Sequence, residues 1–289
     1  MKEKLLRWFG ARRGKGAQAR NDASAHGGES VPPAAERSGV TVFAAPELPA
    51  RRFRNLTLPE AGQSEFPDES DTQPAFKIRL AKSAGFRREA STLVSRRYSD
   101  RGYIVPGIPS DPDLYSFLAY DDGAVVGTVS IRLDSPRGLS ADELYREELD
   151  ALRRRGWRIC EFTRLAVDVR TASKPVLAGL FHTAYLYASV VRGYDHAVIE
   201  VNPRHVGFYE RALGFEQIGP ERINRRVNAP AVLLCVAFET IAEGIARYGG
   251  KAELAGSVRS LYPFGFSPEE ERGILRRLRE LDAARNRDG

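Results

Sequence analysis

Apolar and polar positions recur with regular period through residues 75–240, and that pattern predicts a mixed α/β domain. FKIRLA (76–81) alternates with period two and predicts a strand. Helical spacing follows: Phe86, Ala90, Leu93, Val94 and Arg97 recur at three- and four-residue steps, ending near Gly102. LYSFLAY and AVVGTVSIRL flank a DDG turn at 121–123 and predict a β-hairpin. ADELYREELDALRRR (141–155) predicts a charged helix. WRICEFTRLAVD (157–168) predicts the next strand, with Ile159, Glu161, Thr163, Leu165 and Val167 on one side and Cys160, Phe162, Arg164 and Ala166 on the other. A helix over about 174–192 follows, capped by Ser173 and stopped at Gly193. HAVIEV (196–201) predicts a short buried strand, Asn202-Pro203 opens a helix that Gly214 ends, and FEQIG and PAVLLCVAF predict two more strands. The order β-α-β-β-α-β-α-β-α-β-β implies a mixed, twisted sheet with helices on both faces.

The flanks differ. Residues 1–74 are rich in Gly, Ala, Pro, Ser, Glu and Arg, keep no apolar face, and predict a disordered basic tail. Its first fifteen residues, with Leu5, Leu6, Trp8 and Phe9 among basic side chains, read either as solvated tail or as a short amphipathic helix with weak affinity for a membrane surface. Residues 241–289 predict a helical extension. There Ser267-Pro268-Glu269-Glu270 forms a helix start, and Ile274, Leu278 and Leu281 make an apolar stripe that suits docking on the core.

Charge and cysteines narrow the setting. A net charge of +6 favours an acidic partner. The basic runs lack interleaved aromatics, which counts against nucleic acid. Cys160 and Cys235 are far apart and sit in apolar runs, so neither a disulfide framework nor a CxxC metal pattern is present. The four histidines have no ligand spacing, and no metal site is expected. The amino terminus lacks the apolar core of a secretory signal and no apolar run reaches a membrane span, so the expected location is cytoplasmic.

The chemistry concentrates in EFTR. Glu161 and Arg164 lie within Ile, Phe, Leu, Ala and Val, and burying either charge without a partner costs several kcal/mol. Each therefore needs a counter-charge, a water or a ligand.

Two segments resemble known families. NPRHVGFYERALGFE (202–216) resembles the closing strand-helix-strand of GNAT-fold acyltransferases, and GWRICEFTRLAV (156–167) resembles the Glu-x-x-Arg strand of acyl-homoserine-lactone synthases. With the DPDLYSFLAYDDGAVVGTVSIRL hairpin (111–133), residues 75–240 look most like a bacterial N-acyl amino acid synthase of GNAT-like acyl-CoA N-acyltransferase fold. The resemblance implies an enzyme that moves a fatty acyl group from acyl carrier protein to the amine of an amino acid. It implies Glu161 as a base acting through water, Arg164 as the motif arginine, and Tyr209 as a proton source for the departing thiolate. Tyr209 also lies on an apolar face with Val206 and Leu213, where it would pack in any case. The resemblance places Asp111, Asp113, Arg132 and Arg97 at the acceptor; Arg96 competes with Arg97, and Arg132 comes two residues after Ser130, which stands where the family pattern has its hairpin arginine.

The chemistry agrees with that set. A protonated amine must lose a proton before attacking a thioester, its carboxylate calls for a guanidinium, and the oxyanion wants backbone amides where strands splay apart. Where coenzyme A-dependent GNAT enzymes carry a glycine loop for pyrophosphate, this chain has 170–175, RTASKP. Arg170, Ser173 and Lys174 suit the single phosphate of a phosphopantetheine arm, or the segment is only a capped loop. The thioester arm is the donor, and no other cofactor is expected. The competing readings are a coenzyme A-dependent acetyltransferase, a lactone synthase, and a non-catalytic carrier-protein-binding module.

Overall fold

The computed structural model describes residues 41–44, 76–81, 84–99, 111–168, 173–285 and 287. The predicted periods become elements in nearly the predicted order. They are strands β1 (Thr41–Ala44) and β2 (Lys77–Leu80), helix α1 (Ala84–Ser99), the hairpin β3 (Leu114–Asp121) and β4 (Ala124–Leu133), helix α2 (Asp142–Arg154) and strand β5 (Ile159–Val167). Helix α3 (Lys174–Tyr185) follows and runs on as a wider, π-type turn over Leu186–Val191, then β6 (His196–Val201) and α4 (Val206–Leu213). Strands β7 (Glu216–Gln217), β8 (Arg222–Asn224) and β9 (Ala229–Ala237) precede α5 (Phe238–Tyr248) and α6 (Pro268–Arg285).

The strands join in the order β1-β2-β3-β4-β5-β6-β9-β7, with β8 pairing β9 off that path. The hairpin turns at Asp122 and Gly123 with φ of 45° and 74°, the left-handed pair that matches strand twist in a two-residue turn. β5 and β6 run parallel; their crossover is the α3 helix.

Two helical layers cover the sheet. On one face α1 sets Ala90 against Leu114, Leu118 and Tyr120, and Leu93 and Val94 against Ala166. On the same face α2 sets Tyr145, Leu149 and Leu152 against Ile159, Val198, Leu233 and Cys235. The opposite face meets α3, α4, α5 and α6 in one large core, which includes Ile274, Leu278 and Leu281 from the terminal stripe. The terminal helix therefore docks on the domain.

Residues 41–44 depart from the disordered tail expected over 1–74. Thr41–Ala44 is an edge strand on β2, with Val42 and Phe43 buried. Phe43 packs with tilted rings against Phe266 and Phe76 at centroid distances of 4.4 and 5.4 Å, and Arg277 Nε of α6 donates to the Val42 carbonyl at 2.6 Å. Four residues are too few to display a period, so only the long-range partners reveal this strand. The rest of 1–75 lies outside the described residues.

Strand β5 also departs from simple alternation. Its pairing with β4 skips between Thr163 opposite Ser130 and Ala166 opposite Thr128, and Arg164 has φ of 52°. This is a bulge: one extra residue switches the faces. Ile159 thus lies in the α2-side core while Val167, expected on the same side, lies in the α3-side core.

Candidate active site

Parallel strands β5 and β6 pair at Ile159–His196, Cys160–Ala197 and Glu161–Val198, and nowhere further. Beyond that point β5 stays with β4 as far as Val167, while β6 stays with β9 as far as Val201. The two strands part like a V. Glu161 is the last paired residue before the fork, and the backbone of β5 past it no longer pairs with β6. An opening of this kind presents backbone amides to a ligand without needing side chains.

Glu161 is only 3% exposed. Its Oε2 accepts from the Ser140 N–H at 2.6 Å and the Ala141 N–H at 3.4 Å, the amides that open α2. Burial holds its carboxyl above the ordinary value of 4.5, and the negative charge of Glu200 pushes the same way, against the pull of the two amides. A carboxylate with a raised pKa, steadied at a helix N-terminus, accepts a proton more readily than an ordinary glutamate.

The turn that offers those amides is itself built by charge. Arg153 binds Asp134, Asp142 and Asp150, with bonds of 2.7–2.8 Å. Asp142 Oδ2 also accepts from the Leu139 N–H at 2.7 Å. Gly138 sits at φ 71°, and a Cβ there would meet Asp142 Oδ2 at 2.8 Å. Burial alone would raise the Asp142 carboxyl, but the Arg153 guanidinium and the Leu139 amide outweigh it and hold it below 3.8. The folded chain therefore binds fewer protons than the unfolded one in acid, so this stabilisation is present above about pH 4 and is lost as pH falls through the folded pKa. Arg153→Ala should cost about 2 kcal/mol in urea unfolding at pH 7 and flatten the acid dependence. An unchanged midpoint and acid limb would show that the turn holds without it.

Across the sheet, Arg132 on β4 is the register partner of Glu161, so both lie on the α2 side. Arg132 Nη2 donates to Asp111 Oδ2 at 2.6 Å. Its Nε is buried and has no hydrogen-bond partner among the described residues. Burial would raise the Asp111 carboxyl, but the Asp113 N–H at 2.9 Å and the Arg132 guanidinium together hold it low. Asp113 turns elsewhere, accepting from the Ser135 hydroxyl at 2.7 Å and Arg137 Nε at 2.8 Å. Ser130, at the place where the family pattern has its hairpin arginine, shares a 2.7 Å hydrogen bond with Ser116 inside the sheet.

The structure thus brings Glu161, Arg132 and Asp111 together and sends Asp113 to the rim. Arg164 occupies the bulge, half-buried. Tyr209 is buried on the other face, edge-on to Phe181 and Phe215 at 6.3 and 5.8 Å. Ser173 caps α3 through the Val176 N–H at 3.5 Å, and Lys174 Nζ lies 5.2 Å from the Phe264 ring. The side chain of Arg97 and the whole of Arg170 lie outside the described residues.

Residues 89–237 match the family model "N-acyl amino acid synthase FeeM". The chain belongs to this family. Among solved structures it is similar to FeeM, an N-acyl amino acid synthase from uncultured soil microbes, at 29% identity and a TM-score of 0.53, over 58% of this chain and 94% of that one. It is also similar to the acyl-homoserine-lactone synthase LasI, at 18% identity and a TM-score of 0.43 over 56% and 90% of the two chains. A GNAT-family acetyltransferase from Streptococcus pneumoniae matches at 18% identity and 0.41, over 56% and 99%. No curated protein sequence matches the chain. The protein is a GNAT-like enzyme, an N-acyltransferase of the FeeM family. None of the described helices is long and apolar enough to cross a membrane.

In this FeeM-family chain a second carboxylate, Glu200, stands on β6 beyond the last β5–β6 pair. Glu200 shares the Val198 face of β6, and burial raises its carboxyl while the Asn224 amide and Arg226 oppose the rise. The period-two pattern of HAVIEV already carried that signal: a carboxylate in step with a buried valine. The amides of Ser140 and Ala141 left no such trace.

Proposed function

We propose that this enzyme transfers a fatty acyl group from the phosphopantetheine thioester of an acyl carrier protein to the amine of an amino acid. The observation that carries the reading is Glu161, a buried carboxylate of raised pKa at the β5–β6 fork, with the Arg132–Asp111 pair beside it on the same face. In this scheme Arg132 holds the acceptor carboxylate, using the Nε that has no partner among the described residues. Glu161 takes the amine proton through a water. The nitrogen then attacks the thioester carbon, and the tetrahedral oxyanion rests on β5 amides at the fork. Collapse breaks the C–S bond; the thiolate takes a proton from Tyr209, and the Tyr209 phenolate takes the second proton from the acylated nitrogen, giving amide and thiol.

The RTASKP segment and the net charge of +6 support a carrier protein as donor. Lys174 and Ser173 stand at the start of α3, and Arg170 precedes them in sequence. Purified enzyme given one acyl group on carrier protein or on coenzyme A, with a mixture of amino acids, tests the whole reading by mass spectrometry of the amides formed. The expected result is an N-acyl amino acid series made at least ten-fold faster from carrier protein. Equal or faster turnover of acetyl coenzyme A would assign the enzyme to coenzyme A-dependent acetyl transfer. Lactone formation from an activated methionine would make it a lactone synthase.

A further inference from the structure

The turn that carries Asp111 is held by the last turn of α6. Arg285 Nη2 donates to the Pro112 carbonyl at 2.8 Å and to the Asp111 carbonyl at 3.5 Å. Its guanidinium carbon lies 4.0 Å from the centre of the Tyr115 ring, near the start of β3. A planar cation laid over a ring is already oriented, so it loses little further freedom when it donates to a carbonyl beside that ring. Arg285 lies beyond residue 237, where the match to the family ends.

The end of α6 is itself fixed. Asp282, one turn earlier, accepts from the Tyr187 hydroxyl at 2.7 Å and from Arg192 Nη1 at 3.1 Å. Arg192 Nη1 also donates to the Tyr115 hydroxyl at 2.8 Å, and the Tyr115 and Tyr187 rings pack 4.7 Å apart. What Arg285 holds belongs to the site. Within its own turn Asp111 accepts from the Asp113 N–H on Oδ1 at 2.9 Å and from the Leu114 N–H on its carbonyl at 3.1 Å. Its Oδ2 is left to take Arg132 Nη2 at 2.6 Å, and Arg132 is the register partner of Leu114. The direction of the Arg132 guanidinium therefore depends on where this turn sits.

We infer that Arg285 is a positioning residue for the amino acid acceptor: from the end of α6 it holds the 111–113 turn, through which Asp111 aims the Arg132 guanidinium. The inference rests on the reading above that Arg132 holds the acceptor carboxylate. In that scheme Arg285 touches neither substrate and acts only through Asp111. Without it the turn keeps its internal hydrogen bonds and loses the contact that fixes it against α6. Bidentate binding of a carboxylate tolerates little misplacement, and a shift of about 1 Å weakens both bonds. The loss falls on the acceptor, because Glu161, Tyr209 and the thioester arm are placed by other elements.

The test is steady-state kinetics of the full-length enzyme, with the donor and amino acid that wild type turns over, for Arg285→Ala, Arg285→Lys, Asp111→Ala and the double variant Arg285→Ala, Asp111→Ala. Arg285→Ala should raise the KM for the amino acid about ten-fold, while kcat and the KM for the donor stay within about three-fold. Arg285→Lys still has a donor for the Pro112 carbonyl and should recover part of that loss. Should alanine prevent folding, lysine takes its place, with a rise of about three-fold expected in the acceptor KM alone. Where Asp111 is already alanine, removing Arg285 should change the acceptor KM by less than about two-fold. An unchanged acceptor KM in the Arg285 variants, a full second loss in the double variant, or equal losses towards both substrates with a lowered Tm overturns the inference. An unchanged acceptor KM in Arg132→Ala, or wild type that acylates no amino acid, instead overturns the reading it rests on.

Discussion

Glu161→Gln should lower turnover by about 10²–10⁴-fold while the protein stays folded. Glutamine keeps the size of the side chain and an oxygen for the Ser140 and Ala141 amides, so the opening of α2 retains its acceptor. It removes only the ability to take a proton. Because burial raises the Glu161 carboxyl above 4.5, the folded state binds that proton more tightly than the unfolded chain does. The contribution of Glu161 to stability is therefore full in acid and is lost as pH rises through the folded pKa; glutamine should leave the Tm at pH 7 unchanged or higher. The same raised pKa predicts that wild-type kcat/KM falls on the acid side of an inflection above the ordinary glutamate value. In Glu161→Gln that limb should vanish. Turnover within three-fold of wild type, with the acid limb intact, would make Glu161 a helix-capping residue and move the base elsewhere, Glu200 being the next carboxylate at the fork.

Arg132→Ala should raise the KM for the amino acid about 10²-fold with a smaller change in kcat. Arg132 and Asp111 are each only about 15% exposed, at 15% and 16%, so the guanidinium works where water competes poorly. Removing it deprives the acceptor carboxylate of its bidentate partner and leaves Asp111 beside the same space, adding repulsion to the loss. Arg132→Lys restores charge without the planar fork and should recover only part of the affinity. The sign of the split matters. A collapse in kcat with unchanged KM would place Arg132 on the transition state and leave the acceptor carboxylate to another cation. Asp111→Asn in the same background isolates the repulsive part, since it should regain some affinity only where Arg132 is absent.

Much of the fold was legible along the chain. The two-residue period of β3, β4 and β6, the Asp122–Gly123 turn, the Ser173 cap and the Gly214 stop are local, because each follows from backbone geometry over a few residues. Glu161 could be singled out because a carboxylate amid apolar neighbours on a strand is costly unless it is used. Arg132 lies two residues beyond the place where the family pattern expects its arginine; register sets Arg132 opposite Glu161, while Ser130 meets Ser116.

What only the tertiary structure decided has a single physical cause, contact between residues far apart in sequence. Alternation carried no warning of the bulge at Arg164, because the extra residue is defined against β4 and not within β5. The amides that steady Glu161 come from the turn before α2, some twenty residues earlier, and reach it only after the sheet has formed. Strand β1 and the segment from α5 to Gly265 are held by partners on other elements, Phe266 and Arg277 for the one, Ala212 and Leu213 for the other. Local period states that a strand exists and which side chains share a face. Where two strands part is set by long-range pairing and packing that no short window contains.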